Sequence, residues 1–384
     1  MEPKGLEEKF LEATKTIIKQ GVLPFPLNEI TVAIVKNIVG ENEKELDFIC
    51  AFKKKSSQTV EELKINSGFD EDTIIALGDS LAKKGLIFNQ PNTQGVMVFR
   101  LLPFMSVGVM EYRFMKPLTH SKEEKELAGL FKKLVDEIKE QLKANYENLK
   151  QVLPELPPTD RTVVHRERED GKKIKVVKVD RSVGEYQEVI LPSQSVEEII
   201  MKFEDIAVGH CFCRQKKMVL GGSCEYHAPL ENCFTFGKSA RHTIQQGFAR
   251  KVTKEEALEI LKRAGEAGLI HKAYHPNSLI DRPETSICNC CKDCCDTFRL
   301  WKEGAFPLIN ITHHLSVVEG ERCTGCGICV ERCPTGSLNI GEKGRIERKE
   351  ELCIGCGVCA RFCPEDAIYM EERERRVQIL PSLT

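Results

Sequence analysis

Eight cysteines near the carboxyl end of the chain repeat one spacing twice. Each set has three cysteines separated by two residues, then three residues, a fourth cysteine and a proline. Small residues between the cysteines, such as Gly325 and Gly355, allow a tight loop to place three thiolates at three corners of one cubane cluster. The fourth ligand must then come from elsewhere in the chain. The doubled pattern predicts two iron-sulfur clusters, with zinc as the alternative, because thiolates bind both.

Residues 320–372 closely resemble bacterial-type ferredoxins, in which the cysteine before proline ligates the cluster of the other half. The resemblance implies two 4Fe-4S clusters. The implied ligands are Cys323, Cys326, Cys329 and Cys363 for cluster 1, and Cys353, Cys356, Cys359 and Cys333 for cluster 2. Such a module carries electrons between a donor and an acceptor. We therefore expect a redox partner protein, or a larger oxidoreductase of which this chain is a subunit.

Nine further cysteines lie upstream in a segment of eighty-five residues: Cys211, Cys213, Cys224, Cys233, Cys288, Cys290, Cys291, Cys294 and Cys295. They suffice for two four-ligand sites with one spare thiol, or for one larger cluster. Adjacent cysteines such as Cys290 and Cys291 rarely both point at one metal, so the doublets indicate neighbouring sites that share this segment. The ferredoxin pattern that follows favours one or two further iron-sulfur clusters, with zinc as the alternative.

The segment from about residue 190 to residue 375, including CFCR and ICNCCKDCC, resembles a family of anaerobic iron-sulfur proteins known mainly as predicted oxidoreductases. The resemblance implies additional clusters and no defined substrate. Several basic residues close to the cysteines are candidates to hydrogen-bond sulfur, ligate metal or bind an anionic substrate. These residues are His210, His227, His242, Arg214 and Arg241.

Composition and the amino-terminal sequence limit the kinds of partner and the cellular compartment that are expected. The 56 basic and 58 acidic residues nearly cancel, so no global field favours nucleic acid or an anionic membrane. The charged amino terminus lacks the apolar stretch of a signal peptide or membrane span, which predicts a cytoplasmic protein whose clustered thiols hold metal rather than form disulfides. No glycine-rich nucleotide-binding motif is found, so neither nucleotide nor flavin is expected.

The amino-terminal half lacks cysteine clusters, and its pattern predicts packing elements. From Asn42 to Phe104 the order helix, helix, turn, helix, hairpin resembles a winged helix. Its third helix begins among Asp70, Glu71 and Asp72, which argues against nucleic-acid binding and favours packing or docking. A long helix is predicted over 121–151, followed by a charged, exposed hairpin about Asp170 and Gly171.

The predicted fold is multi-domain and mainly α with α+β parts: a helical and winged-helix amino-terminal half, a cysteine-rich helical middle and an α+β ferredoxin end. The expected boundaries are 1–41, 42–118, 119–192, 193–302 and 303–384. The predicted function is electron relay between the two carboxyl-terminal clusters and a cluster site in the middle. The alternatives are a reductase with its own catalytic cluster among Cys211–Cys295, and a redox-sensing regulator that uses the winged helix.

Overall fold

The computed structural model describes residues 5–21, 25–105, 107–178, 194–276, 279, 282–304, 306–342 and 344–381. The helices are α1 (Leu6–Ile18), α2 (Glu29–Val39), α3 (Glu43–Cys50), α4 (Val60–Ser67), α5 (Glu71–Lys83), α6 (Val109–Met115), α7 (Lys122–Ala144), α8 (Tyr146–Val152), α9 (Val196–Met201), α10 (Phe212–Val219), α11 (Gly237–Gln245), α12 (Lys254–Glu266), α13 (Asp296–Lys302), α14 (Ile328–Arg332) and α15 (Val358–Arg361). None of them has the length and apolarity that a bilayer-spanning helix needs.

The strands are β1 (Ser57–Thr59), β2 (Ile87–Pro91), β3 (Met97–Leu101), β4 (Asp160–Val163), β5 (Val176–Lys178), β6 (Ile206–His210), β7 (Glu231–Phe236), β8 (Arg250–Lys251), β9 (Ile270–Tyr274), β10 (Ser286–Cys290), β11 (Leu308–Val318), β12 (Leu338–Ile340), β13 (Ile346–Arg348) and β14 (Ile368–Ile379). Two compact units contain these elements. Unit 1 comprises Met1–Ile138, Phe212–Ser223 and Ala240–Arg250, and unit 2 comprises Lys139–Cys211, Cys224–Ser239 and Lys251–Thr384.

Unit 1 contains a small sheet of order β1-β3-β2 among helices. From α3 onward its order is helix, strand, helix, helix and two strands, and the Asp70 side chain caps α5 by accepting from the Thr73 backbone N–H. This is the element order expected of a winged helix, and the family assignment stays a prediction. His242 is fully buried in this unit, with its ring centre 4.4 Å from that of Phe88 and 5.4 Å from that of Tyr112.

The helix predicted over 121–151 is divided at Asn145. α7 ends at Ala144 and α8 begins at Tyr146, while Asn145 takes the non-helical angles φ −110° and ψ 22°. The Asn145 side chain donates a hydrogen bond of 2.9 Å to the Gln141 carbonyl oxygen. An asparagine side chain that bonds nearby backbone competes with helical hydrogen bonding, so the break has a local cause.

A large mixed sheet dominates unit 2, and the prediction of a mainly α fold was wrong. Its nine described strands run in the order β5-β14-β11-β4-β9-β10-β7-β6-β8. Most pairs are antiparallel, while β4 with β11 and β5 with β14 are parallel. The strands escaped prediction because several are buried yet carry polar residues. β11, for example, contains the buried residues Asn310, His313 and His314, which obscure an apolar run.

The predicted charged, exposed hairpin is present about Asp170 and Gly171, which are both exposed, but it is shorter than the segment for which it was predicted. Every residue of β4 is buried, and the Arg161 guanidinium lies 2.7 Å from the Glu284 carboxylate inside the protein. β4 and β5 join different neighbours in the large sheet, so the hairpin is confined to residues 166–174, where Glu167 bridges Lys173 and the Ile174 backbone N–H donates to the Arg166 carbonyl oxygen. The end of the segment, from 179 onward, lies outside the described residues.

The eight carboxyl-terminal cysteines lie between two paired strands of this sheet. The chain leaves β11 at Val318 and returns in β14 at Ile368, and these two residues face each other across the antiparallel pair. α14, α15 and the small β12-β13 sheet occupy the intervening segment. The large sheet therefore holds both ends of the segment that carries the repeated cysteines.

Candidate metal centres

The four cysteines predicted to bind cluster 1 line a cavity near the surface. Its empty space is about 310 Å³, including open solvent, and its walls include Ile328, Ile346 and Ile368. Cys326 is exposed, whereas Cys329 is buried. Four cysteines line this cavity: Cys323, Cys326, Cys329 and Cys363.

The four cysteines predicted to bind cluster 2 line a second cavity of about 300 Å³, again including open solvent. All four of its cysteines are buried: Cys333, Cys353, Cys356 and Cys359. In each cavity the cysteine before proline comes from the other half of the repeat, which is the crossed arrangement implied by the ferredoxin resemblance. The assignment of individual ligands stays a prediction, and the chemistry of both donor sets fits a four-thiolate cluster.

The two cavities share one kind of hydrogen bond to sulfur and differ in another. The backbone N–H groups of Ser337 and Ala367 each donate, at 3.3 Å, to the sulfur of the cysteine four residues earlier, Cys333 or Cys363. The second cavity adds hydroxyls, with Ser316 Oγ 3.6 Å from Cys353 Sγ. Hydrogen bonds to sulfur stabilise added negative charge on a cluster, so the two centres differ in their surroundings.

A further group of metal-ligand type lies in the middle region. We call Cys224, Cys291, Asp293 and Cys294 site A; their ligand atoms all lie within 4.8 Å of one another. Three of the four residues follow β10 in the loop before α13, and Cys224 joins them with its sulfur 3.8 Å from that of Cys291. Asp293, which sequence reasoning missed, accepts a 3.0 Å hydrogen bond from the Glu225 backbone N–H. Its position between two cysteines was the available signal.

A second thiol group adjoins the same segment. We call Cys233, Cys288, Cys290 and Cys295 site B. The Cys288 thiol makes hydrogen-bond contacts with those of Cys233 and Cys290, and the Cys290 thiol makes one with that of Cys295. The doublets Cys290-Cys291 and Cys294-Cys295 are thus each divided between the two groups.

Two of these thiols, those of Cys294 and Cys288, are poor acids unless a cation binds to them. Contact with the Cys291 sulfur, together with burial, raises the pKa of the Cys294 thiol, and contact with the Cys233 sulfur does the same for the pKa of Cys288. A bound metal replaces those protons and neutralises the thiolates. In a tetrahedral site with metal–sulfur bonds of about 2.3 Å the sulfurs stand about 3.8 Å apart, so the donors of site A fit a single ion. The predicted extra iron-sulfur clusters remain untested.

The other predicted site residues belong to several elements. Cys211 follows β6, is buried and donates its backbone N–H to the Leu230 carbonyl oxygen, whereas Cys213 is buried in α10 of unit 1. Sites A and B are defined without them. His242 and Arg214 belong to unit 1, while His227 is exposed in the loop of Cys224.

Comparison with known families assigns the carboxyl-terminal part. Residues 322–368 match the family model described as a 4Fe-4S dicluster domain. The chain therefore contains an iron-sulfur dicluster domain with two 4Fe-4S clusters, which implies electron transfer, and the prediction of a two-cluster module is confirmed. Comparison of the whole chain with curated proteins and with solved structures found no significant match.

Replacing Gly355 by alanine should remove the second cluster alone. Gly355 has φ +66°, and an added Cβ would overlap Thr312 Oγ1 and the His314 carbonyl oxygen, forcing the loop between two ligands away from β11. Gly336→Ala is the matched control, because Gly336 also has φ +66° but open space at Cβ, so both variants share the roughly 1–2 kcal/mol backbone penalty. We expect Gly355→Ala to lose about four of the dicluster's about eight irons, as counted by iron and sulfide analysis. Equal iron in the two variants would contradict this reading.

Proposed function

We propose that this chain is an electron-transfer protein in which the dicluster domain exchanges electrons with an iron centre at site A, as a subunit or partner of an oxidoreductase. The observation that carries the proposal is a shared apolar core. Cys290 and Cys295 pack there with Ile354, Cys356 and other residues of the second cluster's loop. Cys290 and Cys295 of site B therefore lie against the residues around cluster 2, and each is adjacent in sequence to a residue of site A, Cys291 or Cys294.

Hydrogen bonds and ring packing make a second connection between these regions. Asn289 lies between two cysteines of site B, and its side-chain oxygen is 2.6 Å from Nδ1 of His271. The His271 ring is 4.3 Å, centre to centre, from that of His165, whose backbone N–H donates to the Cys356 carbonyl oxygen at 3.0 Å. These contacts fix the middle strands relative to a ligand of the second cluster, and a fixed separation supports efficient electron transfer.

The difference in exposure between the two cavities supports a route by which electrons enter or leave the protein. The first cavity has the exposed Cys326, and Ile340 beside it is 53% exposed, whereas the cysteines of the second cavity are buried. A redox partner that docks near Cys326 would reach cluster 1 first. Electrons would then pass through cluster 2 to or from the middle region.

Counting electrons tests the relay. Two 4Fe-4S clusters accept about two electrons in total, so a redox-active centre at site A should raise the uptake of the anoxically purified full chain above two. We expect Cys291→Ala to lower that uptake by about one electron while the dicluster's paramagnetic resonance signals persist. Cys50→Ala, a half-buried thiol of unit 1, serves as the control and should change nothing. Uptake of only two electrons by the wild-type chain, with zinc at site A, would contradict the relay.

A second candidate function rests on Asp293. Site A combines three cysteines with one partly exposed carboxylate, and a carboxylate is a harder, more replaceable ligand for iron than a thiolate. Such a centre would suit a reductase that binds its substrate at the position Asp293 vacates. Cyanide is the probe: it should alter the spectrum of the iron at site A in the wild-type chain and not in Asp293→Cys. The absence of any change in the wild-type chain would exclude this candidate.

A further inference from the structure

Arg375 of β14 holds the loop that begins at Cys353, a predicted ligand of cluster 2. Its guanidinium donates hydrogen bonds to two backbone carbonyl oxygens, that of Cys353 and, at 2.9 Å, that of Glu350. β14 pairs with β11, where Thr312 lies opposite Arg375. The ligand loop also approaches Thr312, because a Cβ added at Gly355 would overlap the Thr312 hydroxyl oxygen. The sheet therefore fixes Arg375 beside the ligand loop of cluster 2.

The charge of Arg375 requires an opposite charge nearby. Its Nε is buried without a hydrogen-bond partner, and among the residues that the structure describes Arg375 forms no ion pair with a carboxylate. An arginine side chain stays protonated in proteins, and a buried charge is stable only beside an opposite one. Burial lowers the pKa of Arg375, and the Cys353 sulfur opposes that shift. This sulfur, which is negative when it ligates a cluster, is the candidate to balance the guanidinium.

Two further arginines leave this region with excess positive charge. The Glu350 carboxylate forms an ion pair with Arg373 and lies 3.8 Å from Arg348 Nη2. One carboxylate thus faces two guanidinium groups, and Arg375 adds a third close by. Reduction adds one negative charge to a 4Fe-4S cluster, and nearby positive charge stabilises the reduced state. The three arginines therefore favour reduction of cluster 2.

The corresponding position of the other half of the repeat is different. Cys323 is the counterpart of Cys353 in the repeated spacing, and the arginine before it is Arg322. The Arg322 guanidinium lies 3.5 Å from the Glu319 carboxylate and 3.3 Å from that of Asp366, and half of its side chain is exposed. Carboxylates and water both reduce the effect of such a charge. The arginine beside Cys323 is therefore balanced and solvated, unlike the guanidinium beside cluster 2.

We propose that Arg375 is a positioning residue for electron transfer, whose guanidinium raises the reduction potential of cluster 2 above that of cluster 1. An electron that enters at cluster 1, near the exposed Cys326, then moves to cluster 2 with a favourable change in free energy. The Ser316 hydroxyl, 3.6 Å from Cys353 Sγ, acts in the same direction. The proposal goes beyond the electron relay, because it concerns the dicluster domain alone and holds whichever metal site A binds.

Potentiometric titration of the full chain, followed by electron paramagnetic resonance of the reduced clusters, tests the role of Arg375. Arg375→Gln keeps a hydrogen-bond donor for the loop but removes the charge, whereas Arg375→Lys keeps both a donor and the charge. The wild-type chain should be reduced in two one-electron steps at different potentials. Arg375→Gln should make the step of higher potential about tenfold less favourable, a shift of about 59 mV to lower potential, and Arg375→Lys should keep most of the wild-type potential.

Arg322→Gln is the matched control, because it also removes a guanidinium next to a cluster cysteine and should leave both steps nearly unchanged. Gly355→Ala, which should lack cluster 2, identifies the step of higher potential by its absence. Coincident steps in the wild-type chain, loss of the lower step in Gly355→Ala, or an equal shift in Arg322→Gln would overturn the proposal. So would equal shifts in Arg375→Gln and Arg375→Lys, because the charge would then have no effect.

Glu350→Gln covers the case in which the Arg375 variants lose cluster iron. This change removes the carboxylate that balances Arg373 and Arg348, while the Glu350 carbonyl oxygen still accepts from Arg375. The step of higher potential should therefore move to still higher potential, opposite to the shift in Arg375→Gln. No shift, or a shift to lower potential, would overturn the proposal. If these shifts occur while site A accepts no electron, the relay fails and the role of Arg375 stands.

Discussion

A thiolate buried away from water must be neutralised within the protein, and this requirement organises unit 2. Four of the repeated cysteines are buried together around the second cavity, and the thiols of sites A and B crowd one another in the middle region. Contact with the Cys291 sulfur and burial raise the pKa of the Cys294 thiol, and burial raises the pKa of the Cys359 thiol, so these two thiols stay protonated without a cation. Metal binding is therefore coupled to the folding of this unit, as in other proteins whose sites form only in the folded state.

The large sheet meets this requirement by fixing the loops that carry sulfur. β11 and β14 anchor both ends of the dicluster segment, β7 and β10 set two cysteines side by side, and the start of α13 returns a third. Buried ion pairs hold the same sheet, including Asp160 with Lys272. Such pairs are costly to bury, so their position among strands that carry ligands suits a role in charge balance more than in bulk stability.

Spacing was enough to predict the dicluster domain, because its ligands lie close together in sequence and glycines permit the turns between them. The division of Cys290 from Cys291 was also indicated, since adjacent side chains in an extended segment point in opposite directions. The membership of sites A and B was not predictable. It depends on the register of β10 with β7, which no local pattern specifies, and on strands such as β11 whose buried asparagine and histidines look like loop residues.

The central claim is that the dicluster and the middle metal centre form one redox unit. The most direct test is the microwave-power saturation of the reduced cluster signals in the electron paramagnetic resonance spectrum, compared between the wild-type chain and Cys291→Ala. A paramagnetic iron at site A shortens the relaxation time of clusters near it, so the account predicts that the wild-type signals saturate at higher power than those of the variant. Identical saturation in the two proteins, with both 4Fe-4S clusters intact, would contradict it.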